Sequence, residues 1–274
     1  MGDGLGDELT IAAHPRVPVV RPARASVARG SLDLRAAPDR GSELVDQALR
    51  GERVAILGRH EGWAYVQGED GYFGWLESDG LTFAASRGAG PEGQDGTERI
   101  VVVHGATVRA ARGPDAAVID VLAPGTVVGG PQAEWIACGD GWLASADTAR
   151  STELPERPPT AADLLATAAT FLGTPYLWGG STAQGIDCSG LTQQVYRLNG
   201  VALPRDADQQ AVFGRPVEVP LPGDLFFFGS DSVTHTAIAT GPRSYIHAPR
   251  KGGAVEHGEL GDERRLRAVR RYLL

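Results

Sequence analysis

Cysteine is almost absent: the 274-residue chain has two, Cys138 and Cys188, and one methionine. Two cysteines far apart in sequence make no disulfide framework of the kind that staples small secreted domains. With 42% hydrophobic residues the chain can build a core without one, so a bridge between them is not expected. Long apolar runs are missing too, and none approaches the roughly 20 residues that span a bilayer. Positive charge is in the minority: 26 Lys and Arg against 34 Asp and Glu give a formal net charge of −8. That balance argues against nucleic acid and anionic membranes as partners. There is no CxxC pair, no HExxH and no EF-hand loop, and the glycine pairs 129–130 and 252–253 lack a Walker lysine. Neither a metal nor any other cofactor is expected. The opening MGDGLGDELTIAAHPRV has no basic segment followed by an apolar one, and no Ser or Thr where a myristoylation signal requires it. A cytoplasmic location is the expectation.

What is present falls into three regions. SLDLRAAPDRGSELVDQALRGERVAIL, from Ser31, and ATVRAARGPDAAVIDVLAPGTVVGG, from Ala106, share an order of features. Each has a strand ending in Arg-Ala-Ala, a polar loop with Pro and Asp, an apolar segment and a Gly-x-x-Val strand. Their continuations, EGWAYVQGEDGYFGWLESDGL and AEWIACGDGWLASAD, match as well. Short strands split by Gly and Asp turns, repeated about 70 residues apart, indicate two copies of a small all-β unit. We place them at 15–85 and 98–150. The Gly-rich, charged stretch from Ser86 to Glu98 and the segment Ser151–Pro159 read as linkers.

From 160 to 274 the rhythm changes. Thr160 with Asp163 forms a capping-box pattern, and Leu164, Leu165, Ala168 and Leu172 make a helical stripe closed by Gly173. A second helix starts in GIDCSGL. Asp187 suits an N-cap, Leu191, Val195 and Leu198 recur at i, i+4, i+7, and Asn199-Gly200 stops the helix. Cys188 thus occupies the first helical position. There the unpaired N–H groups and helix dipole favour a thiolate and offer donors to an oxyanion. The competing reading is an inert core cysteine. Beyond Asp224 the chain alternates as antiparallel strands. A hairpin centred on Gly241 sets His235 directly opposite His247 on one face, where one imidazole would take the thiol proton and the other orient it. His257 has no place in this scheme, and His14, His60 and His104 fall in the β units.

The two repeated units resemble bacterial SH3 (SH3b) domains, on their L-R-A-x-P-type start, G-x-x-V strand and GWL ending. Residues 160–274 resemble the NlpC/P60 cysteine peptidases. The matching pieces are PYLWGG, DCSGL, LPR-x-x-x-x-Q (Leu203 to Gln210), PGDLFFF, T-H-T-A-I and IHAP. The resemblance implies an α+β, papain-like catalytic domain preceded by two small all-β barrels. It implies Cys188 as nucleophile, His235 as base, His247 as orienting member and Tyr176 in the oxyanion region. After Leu203-Pro204-Arg205 the chain reads DADQQ, where the family often has a small hydroxyl residue. Two SH3b units before such a domain resemble the γ-D-glutamyl-L-diamino acid endopeptidases, which act on murein peptides with a free N-terminal L-Ala. The first barrel would then pack on the catalytic domain. Asp187, Ser189, Glu43 and Tyr72 would bind substrate, while Trp63 and Trp75 would serve packing. The expected product is L-Ala-γ-D-Glu, in cell-wall peptide recycling. The alternatives are a secreted DL-endopeptidase acting on intact wall, an amidase or acyltransferase on the same scaffold, and an inactive wall-binding protein.

Overall fold

The computed structural model describes residues 23–83, 98–103, 105–129, 133–150, 153, 157–261 and 264–273. His14, His104, residues 15–22 and most of both expected linkers lie outside that set.

Period-two alternation builds the first unit. In Trp63–Gln67 the residues Ala64 and Val66 point inward, and in Phe73–Glu77 so does Leu76; all three are fully buried. Seven antiparallel strands join in one sheet, in the order 44–49, 31–35, 73–77, 63–67, 53–60, 23–27, 81–83. The sheet encloses Leu32, Leu34, Val54, Ile56, Ala64, Val66 and Leu76. Trp75 packs against Tyr65 with ring centroids 5.2 Å apart and planes tilted by 44°, outside that core. The second unit repeats this order in two pieces: 118–122, 106–109, 141–144, 135–138, then 127–129, 98–101, 148–150. Even the short 3-10 turn before the last strand recurs, Ser78–Gly80 in one and Ser145–Asp147 in the other. Cys138 is a buried free thiol in the second core, so no disulfide joins it to Cys188.

The third region is α+β. Helix α1 (Ala161–Thr170) begins with the expected capping box of Thr160 and Asp163. It ends earlier than its stripe implies, and Phe171 fills the core position while Leu172 stays 40% exposed. Helix α2 (Cys188–Leu198) is buried from Cys188 to Tyr196. Leu191 and Val195 enter a core with Leu225, Phe227, Ile238 and Ile246 of the sheet. A short helix α3 (Ala207–Val212) follows. The antiparallel sheet runs 215–216, 266–271, 225–228, 235–239, 244–247, 256–259.

Helix α2 is also covered by the first β unit, and the seam is polar. Arg205, with a side chain 1% exposed, donates from Nε to Asp46 Oδ1 at 2.6 Å and from Nη2 to Asp187 Oδ2 at 2.8 Å. Asp46 belongs to the first unit and Asp187 caps α2. Ser181 donates its hydroxyl to Asp46 at 2.8 Å and its N–H to Gln47 at 3.0 Å. Arg197 pairs with Glu52, and Gln193 donates to Asp70 at 3.2 Å. Gly179, with φ +71°, packs on the Leu44 carbonyl so closely that a Cβ there would lie 2.3 Å from the oxygen. Glycine is required by both the conformation and the contact.

Truncating one member of a buried charge cluster leaves its partners unpaired in a water-poor site. Arg205→Ala should therefore cost about 3–5 kcal/mol in denaturant unfolding. Arg29→Ala, which breaks the exposed pair with Asp79, should cost under about 1 kcal/mol. Comparable losses from the two would contradict the buried-seam account.

Candidate active site

The site assembles at the start of α2. Asp187, in extended conformation, caps the helix by accepting from Gly190 N–H at 2.7 Å. Its other oxygen accepts from Gly179 N–H at 2.8 Å, and Arg205 grips both oxygens. Ser189 Oγ accepts from Arg205 Nη1 at 3.0 Å. Behind them Gln210, fully buried, donates to the carbonyls of Ser189 and Pro204 and accepts from Thr192. That network explains the spacing of LPR-x-x-x-x-Q: its arginine and glutamine clamp the same helical turn from two sides.

Cys188 is 8% exposed, and the backbone N–H groups of Thr236 and Ser189 face its sulfur. Thr236 follows His235 directly, so the thiol lies at the strand carrying that imidazole. His235 and His247 meet with Nε2 and Nδ1 2.8 Å apart. They are not directly opposite. The turn closes about Pro242 rather than Gly241, pairing Ile238 with Ile246 and Ala239 with Tyr245. The two-residue shift keeps parity, so both rings stay on one face and meet diagonally. Phe228 and Tyr245 wall them, with centroids 5.8 Å from His235 and 4.9 Å from His247 respectively. Glu256 Oε1 stands 3.8 Å from His247 Nε2. With His235 donating from Nε2 to His247 Nδ1, the Nδ1 of His235 is left as the free base.

A model of the NlpC/P60 family matches residues 173–268, and a model of the bacterial dipeptidyl-peptidase Sh3 domain matches residues 34–81. A Bacillus subtilis protein named gamma-D-glutamyl-L-lysine dipeptidyl-peptidase is 40% identical over 121 residues, 41% of each chain. The Bacillus cereus protein of the same name is 30% identical over 245 residues, 78% of this chain and 70% of its own length. The chain belongs to the NlpC/P60 family. A crystal structure of an NlpC/P60 family protein from Bacillus cereus aligns with TM-score 0.78 at 25% identity, covering 92% of this chain and 100% of that one. The Sh3 match coincides with the first β unit.

In this NlpC/P60 protein His235 and His247 meet, Cys188 lies against the backbone of Thr236 next to His235, and Tyr176 is close enough to feel the Cys188 charge. Its proton positions differ from those the helix dipole alone suggests. Burial, and next the Asp187 charge, push the Cys188 thiol up to about 11, outweighing the facing N–H groups and Arg205. Burial and the Arg264 charge hold His235 down to about 2 and His247 to about 4. At rest the site is therefore a neutral thiol beside neutral imidazoles, and the proton moves during attack. Burial, reinforced by Cys188 and Asp187, lifts Tyr176 well above the ordinary phenol range, so it remains a hydroxyl donor.

The sequence reading missed three residues. Arg205 and Asp46 form the buried clamp, and Asp206 accepts from the Tyr72 hydroxyl at 3.0 Å across the seam. Their signal was an arginine-aspartate pair inside a motif already noted, but Asp46 and Tyr72, its partners in the first β unit, lie more than 130 positions away. Glu43 accepts from the Trp178 indole at 2.8 Å, on an exposed rim. The oxygens of Asp187 are engaged by protein donors. His257 pairs across from Ile246 and is exposed, and His60 packs edge-on against Trp75.

A raised thiol pKa keeps the nucleophile protonated through neutral pH. In a Cys138→Ala background, iodoacetamide alkylation of unliganded protein should be slow at pH 6–7 and accelerate toward an inflection near 11. An inflection below pH 8 would contradict a neutral resting pair.

Proposed function

We propose that this protein is a cysteine peptidase that hydrolyses the γ-D-glutamyl–diamino acid bond of murein peptides with a free N-terminal L-Ala, releasing L-Ala-γ-D-Glu. What supports the reading is the first β unit at the cleft: Tyr72 and Asp46 of that unit bond to Asp206 and Arg205, beside the cap of the nucleophile helix. Asp206, half-buried and lifted by burial, is the acidic group we assign to the substrate ammonium, with Tyr72 beside it.

In this mechanism the Cys188 sulfur attacks the γ-carbonyl carbon while His235 Nδ1 takes the thiol proton. The oxyanion meets the N-terminal end of α2 and the Tyr176 hydroxyl. The C–N bond then breaks as His235 returns the proton to the departing amine. Water, deprotonated by the same nitrogen, cleaves the thioester and restores the thiol. Substrates already trimmed to a free L-Ala are excised fragments rather than intact wall. We therefore assign the protein to recycling, in the cytoplasm, and read the second β unit as a second copy of the first.

Cys188→Ala should abolish release of L-Ala-γ-D-Glu from the tripeptide by at least about 10⁴-fold, followed by mass spectrometry. An N-acetylated tripeptide should resist the wild-type protein. Cleavage of the blocked peptide at the same rate would favour the wall endopeptidase.

A further inference from the structure

A cavity of about 240 Å³ lies between the first β unit and α2, away from the reacting atoms: neither Cys188, Asp187, Asp206 nor His235 lines it. Its floor is Leu34, Ala48, Val54 and Val66 of the barrel core, and its roof is Gln193, Gln194 and Arg197 of α2. We propose that this cavity is a second ligand site, for a short amino alcohol, and that its occupant fastens the first β unit to α2. The proposal does not rest on the peptidase reading.

Two buried polar atoms in the roof carry it. Gln194 is 4% exposed, and its side-chain oxygen is buried with no hydrogen-bond partner among the described residues. Arg197 Nε is buried in the same condition, while its Nη1 and Nη2 donate to Glu52 and to the Pro124 carbonyl. The two residues stand three apart on α2 and so share a face. An unpaired buried donor or acceptor costs the full desolvation of that group. The Gln194 oxygen needs a donor and the Arg197 Nε–H needs an acceptor, so a matching ligand presents both.

Charge decides which donor and which acceptor. Asp46, Glu52, Glu69 and Asp70 line the cavity, against the guanidinium of Arg197. Burial lifts Asp46 and Glu52, and the carboxylates add to it: Asp70 lifts Asp46, and Asp46 lifts Glu52. A cation among them relieves that crowding, and a further carboxylate would worsen it. The donor is therefore an ammonium, and the acceptor is a hydroxyl. Methylenes between the two suit the apolar floor. A metal ion does not fit, since no group of three or more His, Cys, Asp or Glu side chains that could hold one occurs among the described residues. Floor and roof come from different domains, so binding favours the docked barrel. Gln193 already donates to Asp70 across the same gap at 3.2 Å.

The test is thermal unfolding of the full chain with 3-amino-1-propanol as probe. The controls are n-butylamine, which lacks the hydroxyl, and 1,3-propanediol, which lacks the charge, all at matched ionic strength. The amino alcohol should raise Tm saturably, by about 3–6 °C at a tenfold excess over its Kd. Each control should bind at least about tenfold more weakly, and so should the amino alcohol to Gln194→Leu. Glu69 is exposed, so Glu69→Gln is expected to fold as wild type does, and it should weaken binding about threefold. Asp206→Asn, at the position assigned to the substrate ammonium, should leave the shift in place. No saturable shift, equal binding of the controls, affinities unmoved in Gln194→Leu and Glu69→Gln, or binding lost in Asp206→Asn would overturn the site.

Discussion

The guanidinium of Arg205 is the hub on which the site depends. It binds Asp46 of the first β unit and Asp187 at the cap of α2, and it is itself nearly inaccessible to water. Burial works against its charge, but Asp187 and Asp46 outweigh that and hold it above its ordinary value. A buried cation with two carboxylates is a poor source of net stability compared with apolar packing. Its effect is geometric: the planar fork fixes the helix cap, and through it the Cys188 backbone, against a second domain. The first unit is thus part of the catalytic frame, not an appendage.

That frame also sets the proton chemistry. Covering α2 from both sides buries the sulfur, and burial overrides the helix terminus that would otherwise ionise it. The same enclosure keeps both imidazoles neutral. A neutral pair limits wasteful oxidation or alkylation of the thiol between turnovers. It also requires a substrate to shift the balance, which connects reactivity to occupancy. The contact between His235 Nε2 and His247 Nδ1 leaves the Nδ1 of His235 as the nitrogen available to act as base.

Local signals were legible and long-range ones were not. The capping box at Thr160, the cap at Asp187 and the Leu191–Val195 stripe are short-range rules, and all three appear as read. The repeated strand order follows from repeated patterning in the two β units. Where the reading slipped, a neighbour outside its window decided the outcome. The α1 stripe ends on Phe171 rather than Leu172, because the core chooses which of two adjacent apolar residues it takes. The histidine hairpin shifts by two residues because Pro242 sits at its centre, a detail turn residues alone left open. The two rings still meet, since an even shift keeps both on one face. Asp46, Asp206 and Arg205 escaped because their meaning lies in contacts across domains. The thiol pKa was misjudged for the same reason: the dipole is written locally, the burial is not.

If Asp46 and Asp187 act through one shared guanidinium, their effects on catalysis cannot be independent. The direct measurement is a double-mutant cycle on kcat/KM with Asp46→Asn, Asp187→Asn and the pair. The account predicts a coupling above about 1 kcal/mol, with the double variant little worse than the more damaging single one. Additivity within about 0.5 kcal/mol would contradict it and would reduce the first β unit to a neighbour of the nucleophile helix rather than its brace.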